Sequence, residues 1–427
     1  MRNCRVSIHR AHVLLGRMRE YICEFFDLMH RFSLWYSFLS SQMVSQKPEL
    51  YDVAIIGAGP AGSTCALALR HSGLKVVVVD KAAFPRDKVC GDAIPARAEK
   101  VLHSIDPVFG QALANFPQTV AIRGCRVVAP NRNHFDYHFH IPGYCSTRLH
   151  FDDFLLQLAG DHASFSLLES TSITHLQRST TGWDLSDKTG VRVSARMVVG
   201  CDGANSIVAR QLAGFQVDHQ HHCGAVRGYY HGLSDLPDQK MEIHFLEDHL
   251  PGYFWIFPLP DGWANVGFGM LSHQISDRKV NLRKSLARIV EHAPGLAERF
   301  ATAELQGTIR GFGLPMGSRQ VPLSGSGFLL CGDAAALVEP ATGEGIGNAM
   351  LSGQLAADHV MRAFQQDDFS ADNLKAYDKA LYGRIWKDLR RKYLAQKYLG
   401  ERRRLMNWLV NQANRPGPVR WMMKQVF

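Results

Sequence analysis

The chain has 427 residues, too many for one ordinary core, so two joined domains are expected. An apolar fraction of 46% excludes a disordered or fibrous protein. The formal charge of +9 is uneven: from Ala371 onward fourteen Lys and Arg meet four Asp and Glu, a local +10, which leaves the rest near neutral and rules out a chain basic throughout.

The N-terminal extension, residues 1–50, begins with Arg2, Arg5, Arg10, Arg17 and Arg19. Leu15, Met18, Ile22, Phe25, Met29 and Phe32 recur at helical spacing. Glu20, Glu24, Asp27 and Arg31 interrupt the run, so it is not read as a transmembrane span. A surface amphipathic helix, a targeting segment and a start assigned ahead of Met43 stay open as readings.

Asp52-Val53-Ala54-Ile55-Ile56 reads as a buried parallel strand, followed at once by Gly57-Ala58-Gly59-Pro60-Ala61-Gly62 and a small-residue helix. Val76 to Val79 reads as the second strand, closed by Asp80. Gly57 permits the tight turn, Gly59 lets a pyrophosphate approach, and Gly62 allows close helix–strand packing. The helix N-terminus offers free N–H groups to phosphate. An acid at 80 suits ribose hydroxyls and disfavours a 2′-phosphate, so the expected nucleotide is FAD or NAD.

Further along, Met197 to Gly200 reads as a strand ending at Asp202-Gly203. Tyr253, Trp255 and Phe257 alternate, so a strand would turn all three to one face and Phe254 and Ile256 to the other. His244 and His249 are read as structural, since no carboxylate partner is evident. Phe328 to Cys331 leads into Gly332-Asp333, and Gly343-Glu344-Gly345-Ile346 opens a helix. Asp333 is expected at a ribityl chain and the helix start at a flavin N1–O2 edge. Nine scattered cysteines without a CxxC pair indicate thiols in a reducing, cytoplasmic setting, and no metal site is expected.

With these segments in chain order, the sequence resembles the flavoprotein monooxygenase superfamily and, within it, the geranylgeranyl reductase family, from about Tyr51 to about Val360. Phe84 to Asp92 is similar to the family's segment after the second strand, Arg148-Leu149-His150-Phe151-Asp152 to its Arg-x-x-Phe-Asp helix start, and Tyr253 to Pro258 to its Tyr-x-Trp-x-Phe-Pro motif. The resemblance implies FAD held by Gly57, Gly59, Pro60, Ala61, Gly62, Asp80, Lys81, Lys88, Cys90, Gly91, Arg148, Asp202, Gly203, Gly332, Asp333, Gly343, Gly345 and Ile346. It implies a hydrophobic tunnel for a prenyl chain lined by Tyr253, Trp255, Phe257 and Pro258, with Cys90, Gly91, Tyr253 and Trp255 nearest the chemistry. Cys90 has two readings, a low-pKa thiol acting as acid or gate and a small residue packed beside the flavin. The implied reaction saturates carbon–carbon double bonds with hydride from reduced FAD; the alternative is a monooxygenase or halogenase-like enzyme on a hydrophobic substrate. No second GxGxxG occurs, so NAD(P)H or another electron donor is expected to bind transiently.

The expected architecture is α/β: an FAD-binding Rossmann-like domain (51–105, 145–215, 320–365) interleaved with a mainly antiparallel β-sheet substrate domain (106–144, 216–319), plus a helical, basic C-terminal region (366–427). In that tail, Arg390-Arg391-Lys392 and Arg402-Arg403-Arg404 alternate with Tyr393, Leu394, Tyr398, Leu399, Leu405, Met406 and Trp408. Two readings stay open: a helix on the inner face of an anionic bilayer, or packing on the body. The expected partner is a prenyl-lipid-like substrate and not nucleic acid; the oligomeric state is not legible.

Overall fold

A computed structural model describes residues 29–32, 49–236 and 238–426. Residues 29–32 are helical; the other expectations for the extension lie outside the described residues. The unit that begins at Leu50 carries both sheets.

The unit opens with strand β1 (Leu50–Ile56), helix α1 (Pro60–Ala68), β2 (Val76–Val79) and β3 (Ala93–Ile94). Then come α2 (Ala96–Ile105), β4 (Val120–Val128), β5 (His134–Cys145) and α3 (Arg148–His162). The next strands are β6 (Ser166–Leu168), β7 (His175–Arg178), β8 (Trp183–Asp187), β9 (Gly190–Gly200), β10 (His222–His231) and β11 (Lys240–His244). β12 (Tyr253–Pro258), β13 (Trp263–Leu271), β14 (Glu304–Pro315), β15 (Ser324–Gly325) and β16 (Phe328–Leu330) complete the strands. Four helices follow: α4 (Ile346–Gln366), α5 (Ala371–Leu399), α6 (Arg403–Ala413) and α7 (Pro418–Val426).

The strands form two eight-stranded sheets. The first runs β15-β16-β9-β1-β2-β6, with β8 and β7 attached to β9. Its centre is parallel, Val53 opposite Val76 and Met197. Every residue from Val76 to Val79 is buried, because helices cover both faces of such a sheet. The second runs β14-β10-β13-β12-β11-β4-β5-β3 and is antiparallel except where β11 meets β4. β3 belongs here, since Ala93 pairs with Cys145; residues 93–94 therefore stand with the second sheet and not with the nucleotide segment 51–105.

The alternation read in β12 places its two faces in different cores. Phe254 and Ile256 pack with Val266, Phe268 and Leu286, whereas Trp255 and Phe257 pack with Ile122, Val127 and residues of α6.

The tail folds onto the body. Leu374, Tyr377, Leu381, Ile385 and Leu389 form a three- and four-residue stripe that buries α5 against the first sheet. Met406, Leu409, Val410 and Ala413 do the same for α6 on the second. Leu394, Tyr398, Trp408 and Trp421 remain exposed on the outside. Lys392 of α5 reaches the Glu339 carboxylate at 2.6 Å, and both side chains are largely buried. Removing one member leaves a buried charge unpaired. Lys392→Met is therefore expected to lower the free energy of urea unfolding by about 3 kcal/mol, and adding Glu339→Gln to restore part of it.

Candidate active site

The glycines of the first loop have different reasons to be glycine. Gly57 lies at φ +101°, and a Cβ there would meet the Cys201 carbonyl oxygen at 2.3 Å. At Gly62 a Cβ would fall 1.8 Å from the Gly57 oxygen. Both are needed by the fold itself. Gly59 is not: its backbone is extended at φ −75°, and the nearest atom to an added Cβ is Arg86 Nη2 at 3.5 Å. Only something resting on the loop requires glycine there, as a pyrophosphate would.

Cations stand over this point. Arg148 and Arg86 both bind the buried Asp152, Arg148 through Nε and Nη2 and Arg86 through Nη1 at 2.7 Å. Burial alone would raise the Asp152 carboxyl, but the two guanidinium groups hold it below the usual range. Two positive charges and one negative leave a net positive charge beside the N-terminus of α1, which suits a diphosphate. The family resemblance implies Arg148 at the cofactor and does not include Arg86. Arg86 gains this position only through Asp152, 66 residues away.

Asp80 accepts from the Ala58 N–H at 2.8 Å and the Ala82 N–H at 2.9 Å, so it braces the glycine loop and keeps lone pairs for a ribose. Lys81, expected at the cofactor, is exposed beyond the end of β2. Asp202, expected at the cofactor, has a local role in the fold. It accepts from the Ser206 hydroxyl and, at 2.6 Å, from the Ile207 N–H, so both oxygens serve the start of helix Ile207–Leu212. Its Cα lies 3.0 Å from where a Gly57 Cβ would stand, so Asp202-Gly203 walls the loop from behind.

Asp333 accepts from Lys88 Nζ at 3.0 Å, joining segments 245 residues apart. Gly345 caps α4, and a Cβ there would lie 3.4 Å from Asp333 Oδ1. Gly332 and Gly343 take positive φ, +59° and +71°. Pro60, Lys88, Arg148, Asp333 and Gly343 to Ile346 line one cavity of about 630 Å³.

That cavity continues over the second sheet. Tyr253, Trp255 and Phe257 form its aromatic wall, and Met406, Leu409, Val410 and Met423 of α6 and α7 roof it. Pro258, expected among the substrate residues, has the strand parity of Phe254 and Ile256; it is buried at the strand end and does not line the cavity.

Behind the wall lies a buried polar network. The Trp255 indole donates to Asn265 Oδ1 at 2.9 Å, and Asn265 Nδ2 donates to the Cys90 carbonyl and to Asp92 Oδ2, both at 2.8 Å. The Tyr229 hydroxyl donates to the same Asp92 oxygen at 2.8 Å. Burial pushes the Asp92 carboxyl up to about 6, against these donors. The network sets the position of Cys90-Gly91, and a Cβ on Gly91 would meet the Phe257 ring at 3.2 Å. Burial also pushes the Cys90 thiol up, although Arg148 pulls the other way. The half-buried thiol is thus kept protonated, which favours packing or gating over thiolate chemistry.

His244 has a carboxylate partner after all. Its Nε2 lies 2.9 Å from Glu242 Oε2, which Arg299 Nη1 also binds at 2.6 Å. Residues two apart on a strand share a face, so the signal is present in Glu242-x-His244. This cluster is structural and lies off the cavity. Among the described residues no His, Cys, Asp and Glu group could hold a metal ion, and no helix is long and apolar enough to cross a membrane.

The FAD binding domain family matches residues 50–378. A menaquinone reductase of Mycobacterium tuberculosis is 34% identical over 322 residues, 72% of this chain and 76% of that protein. A digeranylgeranylglycerophospholipid reductase of Methanopyrus kandleri is 31% identical over 342 residues, 77% of this chain and 84% of its own length. The chain belongs to the geranylgeranyl reductase family of FAD-dependent oxidoreductases. The fold of this family member is also that of a geranylgeranyl bacteriochlorophyll reductase-like protein of Thermoplasma acidophilum, with a TM-score of 0.77 at 24% identity over 88% of this chain and 96% of that one.

Proposed function

We propose that this family member reduces carbon–carbon double bonds in the isoprenoid chain of a membrane lipid. One observation carries the reading: the loops that suit FAD open straight into an apolar cavity walled by aromatic rings and roofed by the tail. Menaquinone and digeranylgeranylglycerophospholipid, named for two relatives, share one chemical part, an unsaturated isoprenoid chain.

FAD, when bound and reduced, supplies a hydride. The chain's residues do the rest. Gly59 and the Arg86–Arg148 pair would receive the FAD diphosphate, and the Lys88–Asp333 pair lines the same cavity as Arg148. Tyr253, Trp255 and Phe257 hold the alkene and exclude water, with Tyr253 anchored through its hydroxyl to the Thr342 carbonyl. The electron donor, NAD(P)H or an equivalent, docks transiently. The test is anaerobic: pre-reduced holoprotein mixed with a geranylgeranyl lipid is expected to regain oxidised-flavin absorbance at a rate set by lipid concentration. Reoxidation only on admitting oxygen would overturn the reading.

The same physics favours peripheral contact with a membrane face. Moving a chain of about twenty carbons through water costs on the order of 16 kcal/mol, at about 0.8 kcal/mol per CH₂. Direct collection from a bilayer avoids that cost. Exposed Trp408 and Trp421 stand near Arg402, Arg404 and Arg415 in the sequence, while Met423, on the helix that carries Trp421, lines the cavity. The protein is expected to sediment with phosphatidylglycerol vesicles at low salt, and Trp408→Ala/Trp421→Ala to weaken this about tenfold. Equal sedimentation of both proteins would remove these helices from the contact.

A further inference from the structure

Saturating an alkene takes a proton as well as a hydride, and the cavity must hold its source. Five acidic residues line it: Asp92, Asp333, Glu339, Glu344 and Asp388. Asp333 is paired with Lys88, Glu339 with Lys392 and Thr342, and Asp388 with Arg391 and Lys392. Asp92 lacks an ion pair and its Oδ1 has no hydrogen-bond partner among the described residues, but it has no solvent-accessible surface through which to regain a proton, and its Oδ2 is held by Asn265 and Tyr229. Glu344 differs from all four. It is part-exposed and has no ion-pair partner among the described residues. Its Oε1 accepts from the Gly347 N–H at 2.6 Å, while Oε2 has no hydrogen-bond partner among them. It immediately precedes Gly345, the cap of α4, in the loop whose Thr342 carbonyl takes the Tyr253 hydroxyl. Glu344 thus lines, beside the start of α4, the same cavity that Tyr253, Trp255 and Phe257 wall.

We propose that Glu344 is the acid that delivers this proton to the substrate alkene. The proposal rests on the double-bond reading above. One alkene carbon gains the hydride supplied by reduced FAD as the π bond breaks, and the other gains the proton from Glu344. The flavin is left oxidised, the lipid is two hydrogens richer, and the Glu344 carboxylate is reloaded from solvent. A two-electron donor of the reduced nicotinamide class restores the flavin.

An ordinary glutamate would be ionised at neutral pH and useless as an acid. Burial and the neighbouring Glu339 push Glu344 up to about 7, against the Gly347 N–H, Arg97 of α2 and Lys392 of α5. Asp333, Asp388 of α5 and Tyr253 of β12 are among the other titratable groups that line the same cavity. A raised carboxyl acts as an acid below its pKa and loses its proton above it, so the proton-transfer step slows as pH rises through about 7.

The experiment uses full-length, FAD-loaded protein and a geranylgeranyl phospholipid. Glu344→Gln keeps an acceptor for the Gly347 N–H but has no acidic proton. It is expected to retain FAD and lipid-induced quenching of tryptophan fluorescence, to slow flavin reoxidation by lipid at least about 100-fold, and to lose the fall above neutral pH. Glu344→Asp should recover part of the rate. Independently of turnover, infrared spectra of wild-type protein carrying carbon-13 glutamate should show a carboxylic-acid band that titrates near pH 7 and is missing from Glu344→Gln. Wild-type rates and pH profile in Glu344→Gln, or a wild-type protein with every glutamate ionised well below neutral pH, would overturn the proposal. Lack of lipid-driven reoxidation in wild type would sink the double-bond reading instead, and the infrared band would still judge Glu344.

Discussion

Gly59→Ala protein is expected to fold and unfold like wild type and yet to be isolated almost free of flavin. At this site the backbone is extended and an added Cβ makes only ordinary contacts, the nearest at 3.5 Å. Folding therefore has little to lose. A diphosphate lying on the loop would meet the new methyl group, and the affinity for FAD should fall at least about 100-fold, roughly 2.7 kcal/mol. Gly62→Val provides the contrast. Its Cβ would lie 1.8 Å from the Gly57 carbonyl oxygen, so the turn must break and the protein should be destabilised whether or not FAD is present. Thermal melts of the two apoproteins beside FAD titrations separate the cases. Equal flavin content in Gly59→Ala and wild type would mean that no ligand approaches the loop there.

Gly91→Val is expected to leave the flavin bound and chemically reducible while abolishing reduction of lipid. The added side chain points at the aromatic wall, with its first carbon 3.2 Å from the Phe257 ring and 3.6 Å from Trp255 Nε1. Two further methyl groups would fill the space between Cys90-Gly91 and the wall, the place proposed for the substrate alkene. Loss of alignment by about 1 Å already costs about 100-fold, and a filled slot should cost more. Dithionite reduction of the flavin needs no such space and should proceed normally. Phe257→Ala removes the facing ring, so Gly91→Val/Phe257→Ala should recover part of the lost activity, a coupling that a double-mutant cycle measures. Additive losses would place the substrate elsewhere.

The nucleotide loop is legible in the sequence because its chemistry is local. Gly57, Gly59 and Gly62 do their work within six positions, and the β-branched runs on either side fix the strands that hold them. The alternation of Tyr253 to Pro258 is equally plain, although the same rule of two turns Pro258 away from the cavity. What stays hidden depends on distant partners. Arg86 matters through Asp152, Lys88 through Asp333, and Asn265 through Cys90 and Asp92. No spacing along the chain signals such meetings. Asp202 carries the right motif, but its oxygens go to a neighbouring helix start, which only the backbone path reveals. The tail shows the limit most clearly. Its apolar residues suit a bilayer or the body, and they divide: Met406, Leu409 and Val410 turn inward to roof the cavity, while Trp408 stays outside.

The most direct measurement is the mass of the lipid after turnover. Purified holoprotein, a geranylgeranyl lipid and an excess of reductant, kept free of oxygen, should yield products heavier by two hydrogens for each double bond saturated, and in heavy water one of each pair should be deuterium. Unchanged lipid under these conditions, or a product that has gained an oxygen atom once air is admitted, would contradict the account.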